Sequence, residues 1–548
     1  MTADRPQLLH DLLRGPAAAG GRLAAVAPDG GSVTFGELDR RTAALAGWLD
    51  DQGERGDRIA VVADNGLAYL QLYYAVPRAG QILALVNQRL SPAEQAAVIA
   101  ASEPRILVGD ARYLDALPAI REQVPSLQAV VSFGSPRWQE ALLHHPLAGT
   151  RTDLGTGEAS SGDLASPDDP GAPAWLAFTS GSTGTPKGVI HTHRSLLAAA
   201  RGSVEGRQVP EHGVYLFPFP MCHISGYNLL VQHATGSAVV LASRFRPDEF
   251  VATVNAHGVT SCSLAPTMLH ALLAQLDDAD REAPGNGAAD SGNNAASAMP
   301  TLRAINYGSA AIAADLIDRA TRRLNVDFHQ GYGMTETGGN VTFLGPAGHR
   351  AGAAGDPGIL RTAGRPHSQV EIAVVDEHGD PVAPGQAQAG EVVVRGDQVM
   401  SGYWRAADAT RDAMIEGGWF RTGDIGRVDG QGRLVIVDRA KDVIITGGEN
   451  VSSREVEDAL STHPGVDLVA VVGVPDPYWG EAICAVVVPL PGHSVAADDL
   501  IAHARARISA FKRPRHVVVT GALPLTPNGK IAKDRVRAFA RAETGRNT

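Results

Sequence analysis

Apolar and polar residues follow two periods along this chain, one typical of helices and one typical of buried strands. The segment VTFGELDRRTAALAGWL, which starts at residue 33, has a threonine near its start and then carries apolar residues at helical spacing. The segment RIAVVADN at 58–65 is apolar enough to predict a buried strand. Because predicted helices and strands keep alternating, the pattern favours layered α/β domains.

Two stretches interrupt this alternation and divide the chain. Residues 148–174 and 276–299 are rich in small and polar residues, which predicts exposed loops. After Asp438 the pattern restarts, with predicted strands LVAVVGV at 468–474 and AICAVVVPL at 482–490. We therefore expect a large, multi-layered α/β domain over residues 1–438 and a small α+β domain over residues 439–548.

Length and charge limit the kinds of protein that this chain can be. Its 548 residues correspond to about three or four units of roughly 150 residues. Hydrophobic residues make up 44% and charged residues 20%, as in an ordinary globular protein. The net charge of -11 provides no basic field for nucleic acid or anionic lipid, so a phosphate-bearing ligand needs a local site.

The cysteines and the apolar runs favour a cytoplasmic protein. There are three cysteines, Cys222, Cys262 and Cys484, and their number and spacing suit neither a disulfide framework nor a zinc cluster. The first residues do not resemble an export signal, and no run of 18 apolar residues occurs. We expect a reducing compartment and no membrane span.

Lysine is rare in this chain, which makes each lysine informative. Of the 48 basic residues, five are lysines and the other 43 are arginines. Arginine replaces lysine at the surface, but it does not replace a compact point charge that reaches into a phosphate site. The lysines are Lys187, Lys441, Lys512, Lys530 and Lys533; Lys512 and Lys533 receive no predicted role.

The segment TSGSTGTPKGV at 179–189 has the composition of a phosphate-binding loop. Small and hydroxyl residues let the backbone wrap closely around a polyphosphate, and Lys187 adds a positive charge. The segment lacks the Gly-Lys-Ser/Thr order of the P-loop NTPases. A flexible linker is the alternative, but a linker does not need one of five lysines directly after a predicted buried strand.

Six motifs in order resemble the adenylate-forming superfamily of acyl-CoA synthetases, peptide-synthetase adenylation domains and firefly luciferase. Besides the loop at 179–189 they are NYGSAAI at 306–312, GYGMTET at 331–337, GWFRTGD at 418–424, DRAKDVIITGGENV at 438–451 and PLTPNGKI at 524–531. The resemblance extends over almost the whole chain and is greatest to fatty or aryl acyl-CoA ligases. It implies that a carboxylic acid attacks the α-phosphorus of ATP.

The resemblance implies a role for each residue at the phosphates. Thr335 would contact the α-phosphate, and Glu336 would hold Mg²⁺, for which one or two carboxylates suffice; a solvated loop acid is the alternative for Glu336. The residues implied at the β- and γ-phosphates are Thr179, Ser180, Gly181, Ser182, Thr183, Gly184 and Lys187.

The resemblance also implies an adenosine site. Tyr332 offers a flat face for adenine, and Asp424 would accept hydrogen bonds from both ribose hydroxyls, unless it caps a helix. Arg439 would be the second ribose contact. Small residues that would let the base lie against backbone are Gly308, Ser309, Ala310 and Gly333.

Five further positions complete the implied mechanism. Lys530 would bridge the attacking carboxylate and the α-phosphate as the principal catalytic residue; the alternative is a surface lysine in a turn. His223 would gate and position the acid, although a lone histidine is more often structural. Lys441 matches the hinge about which the small domain rotates in relatives, and Gly447 and Gly448 would flank the pantetheine channel.

The sequence specifies the acid and the acceptor less closely than it specifies the ATP site. Ile224 occupies the position at which peptide-synthetase domains place an Asp for the substrate ammonium, so an α-amino acid is disfavoured. Small residues at Ser225, Gly226, Gly308 and Gly331 suggest a deep apolar pocket for a fatty, aryl or alicyclic acid. No carrier domain follows Lys530, which favours coenzyme A as acceptor. The sequence does not distinguish a monomer from a homodimer. Cys222 is interpreted as pocket wall rather than nucleophile.

Three other functions remain alternatives. An acyl-AMP ligase that loads an acyl carrier protein would share every ATP residue. A luciferase-like oxygenase is disfavoured because the sequence ends GRNT instead of a peroxisomal tripeptide. A nucleotide-binding regulator without catalysis would have lost Lys530 or Glu336, and both are present.

Overall fold

In a computed structural model, the described part of the chain forms four β-sheets with helices packed around them. The described residues are 6–18, 20–144, 169–180, 186–282, 299–308, 314–356, 358–446, 449–526 and 530–546. Within these ranges, no helix combines the length and the apolar character needed to cross a bilayer.

The strands and helices are numbered in chain order. The strands are β1 (Leu23–Val26), β2 (Ser32–Thr34), β3 (Arg58–Val62), β4 (Ile82–Leu85), β5 (Ile106–Gly109), β6 (Ala129–Ser132), β7 (Pro173–Ser180), β8 (Pro186–Thr192), β9 (Val214–Phe217), β10 (Ala238–Leu241), β11 (Ser261–Leu264), β12 (Ala304–Gly308), β13 (Asp327–Met334), β14 (Gly339–Leu344), β15 (Arg365–Pro366), β16 (Val370–Val375), β17 (Gly390–Gly396), β18 (Gly402–Tyr403), β19 (Met414–Ile415), β20 (Trp419–Val428), β21 (Leu434–Arg439), β22 (Ile444–Thr446), β23 (Glu449–Val451), β24 (Val466–Asp476), β25 (Gly480–Pro489) and β26 (His516–Val519). The α-helices are α1 (Asp11–Ala18), α2 (Phe35–Gln52), α3 (Leu67–Arg78), α4 (Pro92–Ser102), α5 (Ala111–Asp115), α6 (Ile120–Gln123), α7 (Pro136–Leu143), α8 (His193–Gly206), α9 (Tyr227–His233), α10 (Pro247–His257), α11 (Pro266–Glu282), α12 (Ala314–Arg323), α13 (Pro346–Ala353), α14 (Ala407–Ala413), α15 (Ser453–Ser461), α16 (Ala497–Arg505) and α17 (Lys533–Arg546).

Two large sheets form most of the N-terminal part. One has the order β18-β8-β7-β4-β3-β5-β6 and the other β15-β14-β13-β12-β11-β9-β10-β1-β2. Strands β3, β4 and β5 are parallel and almost wholly buried, as expected where both faces of a sheet are covered. One apolar cluster joins Val61 and Leu83 of the first sheet to Tyr215 and Val239 of the second. The main core therefore lies between the two sheets.

The first predicted helix and strand are both confirmed. Helix α2 begins after Thr34, whose hydroxyl accepts a hydrogen bond from the backbone N–H of Glu37 at 3.2 Å, while the Glu37 carboxylate accepts from the Thr34 N–H at 2.8 Å. This reciprocal pair satisfies donors that an uncapped helix leaves unpaired. Strand β3 covers the first five residues of the predicted strand at 58–65.

The C-terminal part is a small sheet between helices. Its strands have the order β23-β22-β25-β24, and β26 pairs with β25. Alternate residues of its two long strands face opposite sides, since Val471 and Ile483 pack with α15 residues whereas Val472 and Cys484 pack with α17 residues. The two strands predicted here are confirmed, and so is the fold class of a large layered α/β part with a small α+β part.

The predicted loop boundaries are partly wrong. Helix α11 continues to Glu282, into the loop predicted from residue 276, because Leu276 is buried in the core. Strand β7 begins at Pro173, and Ala174 is buried although both residues were assigned to the loop that ends at 174. The remainder of both predicted loops lies largely outside the described residues.

The small C-terminal part contacts the rest of the chain through the start of α15. The Asp438 carboxylate accepts hydrogen bonds from the Ser453 N–H at 2.6 Å and from its hydroxyl at 2.8 Å. The Ser452 hydroxyl donates to the Val437 carbonyl at 2.7 Å. Farther away, His270 Nε2 lies 3.0 Å from Asp467 Oδ1. These contacts fix one orientation of the two parts, while the domain boundary at 438/439 stays a prediction.

Candidate functional site

The predicted phosphate loop includes the end of β7 and the start of β8, which form a β-hairpin. Strands β7 and β8 are antiparallel, with Thr179 opposite Lys187. The connection is strand to strand, whereas the P-loop of NTPases leads from a strand into a helix. The hairpin therefore agrees with the sequence argument for a different kind of phosphate loop. Ser180 ends β7, and Gly181, Ser182, Thr183 and Gly184 fall outside the described residues.

Tyr403 connects this hairpin to the predicted magnesium ligand, and the sequence did not single it out. The Tyr403 hydroxyl donates to Glu336 Oε1 at 3.0 Å, and the ammonium of Lys187 lies 5.3 Å from the centre of the Tyr403 ring. Tyr403 pairs with Val189 in the β18–β8 ladder, so backbone hydrogen bonds hold the ring beside Lys187. The lysine and the carboxylate thus approach each other across one aromatic ring.

The turn that carries Thr335 and Glu336 is held by its backbone. It is a single 3₁₀ turn directly after β13. His191 of β8 donates from Nε2 to the Thr335 carbonyl at 2.7 Å, and the Met400 N–H donates to the Glu336 carbonyl at 2.8 Å. Burial lowers the pKa of His191 to about 4, so the ring is neutral at pH 7 and acts as a hydrogen-bond donor. This buried histidine was also missed from the sequence.

Tyr332, Asp424 and Arg439 form one hydrogen-bonded group. The Tyr332 hydroxyl donates to Asp424 Oδ2 at 2.7 Å, and Arg439 Nε lies 3.2 Å from Asp424 Oδ1. Burial raises the pKa of the Asp424 carboxyl, while the charge of Arg439 opposes that shift. Asp424 lies inside β20, opposite Arg439 in β21, so the alternative that it caps a helix is wrong.

Several predicted glycines are required by the packing of the protein itself. A Cβ on Gly308 would lie 2.3 Å from the Gly331 carbonyl oxygen, and one on Gly331 would lie 2.1 Å from the Asn340 amide nitrogen. One on Gly226 would lie 2.0 Å from the Tyr73 hydroxyl, and one on Gly333 equally close to the Gly339 carbonyl. Gly308 and Gly333 therefore allow close backbone approach, while Gly331 and Gly226 leave room for a neighbouring side chain. The small size of these glycines does not by itself indicate a pocket. Ser309 and Ala310 lie outside the described residues.

Lys530 lies at the end of a short closed loop. The Thr526 N–H donates to the Lys530 carbonyl at 2.7 Å, and the Lys530 N–H donates to the Thr526 hydroxyl at 3.1 Å. Desolvation, followed by the charge of Arg439, lowers the pKa of Lys530 to about 8, although the residue as a whole is exposed. The positive charge of Lys530 also acts on His223. The Lys530 ammonium therefore interacts electrostatically with both Arg439 and His223.

His223 has a buried nitrogen without a partner. Its Nε2 receives no hydrogen bond within the described ranges. Burial lowers the pKa of His223 to about 3, and the charges of Arg89 and Lys530 add to that effect, so the ring is neutral at pH 7. The adjacent Cys222 is buried, with its sulfur 3.2 Å from Gln88 Oε1 and its pKa raised to about 12 by burial. Its thiol stays protonated, as expected for wall material.

The predicted hinge carries one ion pair. Lys441 Nζ lies 3.7 Å from a carboxylate oxygen of Asp534 in the last helix, and both side chains are exposed. Such a pair contributes little to stability. Gly447 and Gly448 lie outside the described residues.

Three groups of predicted residues meet at the C-terminal end of β13. Tyr332 and Glu336 are four residues apart on this strand and its turn; the first connects through Asp424 to Arg439 and the second through Tyr403 to Lys187. Lys530 approaches from the C-terminal part. Cations, hydroxyls and two carboxylates therefore surround a single region, which suits a nucleoside triphosphate bound with a divalent cation.

Glu336 fits a magnesium ion better than it fits a metal held by the protein alone. No group of three or more His, Cys, Asp or Glu side chains within the described ranges could hold a metal. Mg²⁺ usually keeps several waters and takes one or two carboxylates together with substrate phosphates. Glu336 is half-buried beside the predicted phosphate loop, and it would supply such a carboxylate.

Family models match most of the chain in two segments. The model of the AMP-binding enzyme matches residues 14–404, and the model of the AMP-binding enzyme C-terminal domain matches residues 455–530. The chain belongs to the AMP-binding enzyme family. The resemblance inferred from the six motifs is thereby confirmed, and ATP binding follows from membership in this family.

The relatives of this AMP-binding enzyme include ligases with different acceptors. A feruloyl-CoA synthase from Amycolatopsis sp. is 34% identical over 94% of this chain and 95% of the relative. A fatty acid–[acyl-carrier-protein] ligase, ScoC from Streptomyces coeruleorubidus, is 31% identical over 94% of this chain and 92% of the relative. ATP-bound MatB from Rhodopseudomonas palustris is similar in structure, with a TM-score of 0.83, 25% identity and coverage of 98% of this chain and 99% of MatB.

Proposed function

We propose that this AMP-binding enzyme converts a carboxylic acid into its acyl adenylate and then into its coenzyme A thioester. In the first step a carboxylate oxygen attacks the α-phosphorus of ATP, and the bond to the bridging oxygen of pyrophosphate breaks. In the second step the thiolate of CoA attacks the acyl carbon, the acyl–oxygen bond breaks, and AMP leaves. The overall reaction is that of an acid–thiol ligase.

The observation that carries this proposal is the position of Lys530. Its charge acts on His223, which carries the unpartnered nitrogen, and the charge of Arg439, beside the predicted ribose site, acts on Lys530. A cation at that junction can contact both the acid carboxylate and an α-phosphate oxygen, where charge grows as pyrophosphate departs. A lysine in an ordinary surface turn would not interact with both of these groups.

The other residues bind different parts of ATP and the acid. Lys187 and Thr179 of the hairpin bind the β- and γ-phosphates, and Thr335 contacts the α-phosphate. Glu336 would hold Mg²⁺, and the bound ion would neutralise charge on phosphate oxygens. Tyr332 lies against adenine, and the Asp424 carboxylate accepts hydrogen bonds from the ribose hydroxyls beside Arg439. His223, neutral and partly buried, positions the acid next to Lys530.

An aromatic and cationic surface on the C-terminal part supports CoA as the acceptor. Trp479 is 37% exposed, Tyr478 is 82% exposed, and the guanidinium carbon of Arg515 lies 3.9 Å from the centre of the Trp479 ring. Phe511, 38% exposed, lies nearby in sequence beside Lys512 and Arg513. Exposed aromatic faces with adjacent cations suit an adenine ring that carries phosphates. Such a surface becomes useful if rotation about Lys441 brings it to the acyl adenylate.

Measuring AMP release from ATP and Mg²⁺ tests the proposal. Fatty, aryl and alicyclic acids are each supplied with and without CoA, and the thioester is identified by mass. AMP release that requires both an acid and CoA supports the proposal, whereas no release with any acid contradicts it.

A second candidate is the loading of an acyl carrier protein, which the similarity to ScoC favours. It uses the same adenylation residues but a protein-bound pantetheine thiol as acceptor. Replacing CoA by a phosphopantetheinylated carrier protein in the same assay separates the two. Faster thioester formation on the carrier than on CoA would favour this second function.

A further inference from the structure

One guanidinium is buried away from any described carboxylate. Arg207, directly after α8, is 6% exposed. It donates to Asn228 Oδ1 at 2.5 Å and to the Tyr227 hydroxyl at 3.0 Å, and its charge lies against the rings of Tyr227 and Phe343. Within the described ranges no carboxylate oxygen lies within ion-pair distance of Arg207. A buried charge without an opposite charge is costly to a fold, so its retention calls for an explanation.

Arg207 lies against the face of the nine-stranded sheet that carries Gly308 and Gly331. In the parallel ladder Asn306 is opposite His329, and Gly308 is opposite Gly331. Residues two apart on a strand point to the same face, so Asn306 and His329 lie on the face of the two glycines, roughly 7 Å farther from the C-terminal end of the strands. In the antiparallel ladder Phe343 is opposite Gly331, so its side chain lies on this face as well, and the guanidinium carbon of Arg207 lies 5.5 Å from the centre of the Phe343 ring. The guanidinium therefore packs against the same face.

A chain of contacts joins Arg207 to the turn that carries Thr335. The Asn340 N–H donates to the Tyr227 hydroxyl at 3.4 Å, and the same hydroxyl accepts from Arg207. Gly339 packs its backbone against the Tyr227 ring, because a Cβ there would lie 2.6 Å from a ring carbon. Gly339 and Asn340 begin β14 directly after that turn. Tyr227 thus links Arg207 by hydrogen bonds to the backbone that follows the Thr335 turn.

Two more buried polar atoms on this face lack partners. Neither Asn306 Oδ1 nor His329 Nδ1 receives a hydrogen bond from the part of the chain that the structure describes. Their residues are 6% and 4% exposed. Buried polar atoms are nearly always paired in native proteins, with protein, water or a ligand. A cation with spare donors, an unpaired acceptor and an unpaired ring nitrogen therefore lie on one buried face.

We propose that Arg207, Asn306 and His329 form a subsite for an oxygen atom at the far end of the acid, so that the preferred substrates carry a hydroxyl or carboxylate opposite the reacting carboxylate. The inference rests on the proposed function, because it assumes that the reacting end lies beside Lys530 and Thr335. A hydroxyl suits the group best, since it accepts from the guanidinium and donates to Asn306 Oδ1, whereas a carboxylate only accepts. The acid pocket thus ends in a polar subsite rather than an apolar wall.

Matched acids test the subsite. Acid-dependent exchange of labelled pyrophosphate into ATP is measured with cinnamate against 4-hydroxycinnamate, and with octanoate against octanedioate. We expect kcat/KM to be about 10- to 100-fold higher for the oxygenated member of at least one pair, as for a hydrogen bond to a charged group. A preference within the first pair identifies a hydroxyl, and one within the second pair identifies a carboxylate.

Variants connect the preference to Arg207. Arg207→Met and, separately, Asn306→Ala are expected to reduce the preference ratio to near 1, with activity on the unsubstituted acid changed less. Arg194→Met, an exposed arginine of the same helix, serves as the control and keeps the wild-type ratio. Arg207 also packs between two rings, so a purely structural role would lower activity on both members of a pair equally. If Arg207→Met fails to fold, the preference ratios of the wild type and of Asn306→Ala still test the subsite.

The outcomes separate this inference from the proposed function. Exchange with several acids but no preference for a distal oxygen overturns the subsite and leaves the ligase intact. A preference that survives in both variants also overturns it. No exchange with any acid, oxygenated or not, contradicts the proposed function itself.

Discussion

The nucleotide end and the acid end of the site are built in different ways. At the nucleotide end the functional groups come from short contiguous segments, such as 331–337 and 418–424, and their backbones are fixed by sheet pairing and a buried histidine. At the acid end the polar groups come from single positions on strands β12 and β13 and from the region that joins α8 to α9. One half is specified by motifs and the other by packing.

This difference suits the two tasks. Every substrate of the reaction shares ATP, so the nucleotide end can be rigid and can be encoded locally. The acid end determines which substrate is chosen, and scattered residues can change one at a time without disturbing the phosphate contacts. Lys530 joins the two ends, and variants at different places should therefore affect catalysis and selectivity separately.

Lys530→Ala should have the largest effect. It removes the cation at the junction, and we expect adenylate formation to fall by about 100- to 1,000-fold, while thioester formation from supplied acyl-AMP is largely kept. Pyrophosphate exchange and thioester formation are measured separately. Lys512→Ala, which removes a lysine paired with Glu455 in the same part of the chain, should leave pyrophosphate exchange unchanged. Equal loss of both half-reactions would contradict the assignment.

Tyr403→Phe should weaken the use of ATP without changing the selectivity among acids. The substitution removes the hydroxyl that donates to Glu336, and we expect about a 10-fold loss in kcat/KM for ATP with a raised Mg²⁺ requirement. The loss should be the same for every acid tested. Tyr113→Phe removes a similar hydrogen bond, at 2.7 Å to Asp64, and should have no such effect. A loss that varies with the acid would show that the two ends are not separate.

Trp479→Ala should affect the acceptor step only. Removing the ring beside Arg515 takes away an exposed stacking surface, and we expect the KM for CoA to rise about 5- to 10-fold. Acid-dependent pyrophosphate exchange without CoA serves as the internal control and should not change. An unchanged KM for CoA would show that this surface does not bind CoA.

The pH dependence of adenylation should follow Lys530. Its pKa is lowered to about 8, so the ammonium loses its proton as the pH rises through 8, and kcat/KM for the acid in pyrophosphate exchange should fall in the same range. Lys530→Arg keeps the charge to much higher pH, so its residual activity should not show this alkaline fall. The same alkaline midpoint in both proteins would assign the fall to another group.

The cysteines should give the smallest effect. Cys222, Cys262 and Cys484 are buried, and burial raises the pKa of each thiol. Iodoacetamide at pH 8 should therefore label almost none of them in the native enzyme and should not inhibit it, whereas all three react after denaturation. Rapid labelling of Cys222 with loss of activity would show that the acid pocket is open to solvent at Cys222.

The sequence predicted the groups that occur in contiguous motifs and missed those that depend on distant packing. Tyr332, Asp424, Lys187 and Glu336 follow from motifs, because their chemistry and their neighbours lie on the same segment. Tyr403 was missed because its role depends on pairing between β18 and β8.

His191 and Arg207 were missed for the same reason, since a lone buried histidine or arginine looks ordinary until its surroundings are known. Lys187 and the segment HTH that follows it could have suggested His191, because residues of one strand that are an even number apart share a face. The small size of Gly226 and Gly331 was interpreted as pocket space, although backbone and side-chain contacts already account for it.

The most direct test of the central claim follows the oxygen atoms. A carboxylic acid labelled with ¹⁸O in both carboxylate oxygens is converted to its CoA thioester, and AMP and pyrophosphate are analysed by mass spectrometry. Attack by the carboxylate on the α-phosphorus predicts one ¹⁸O in each AMP and none in pyrophosphate. Unlabelled AMP, or ADP with label in inorganic phosphate, would contradict the adenylate mechanism.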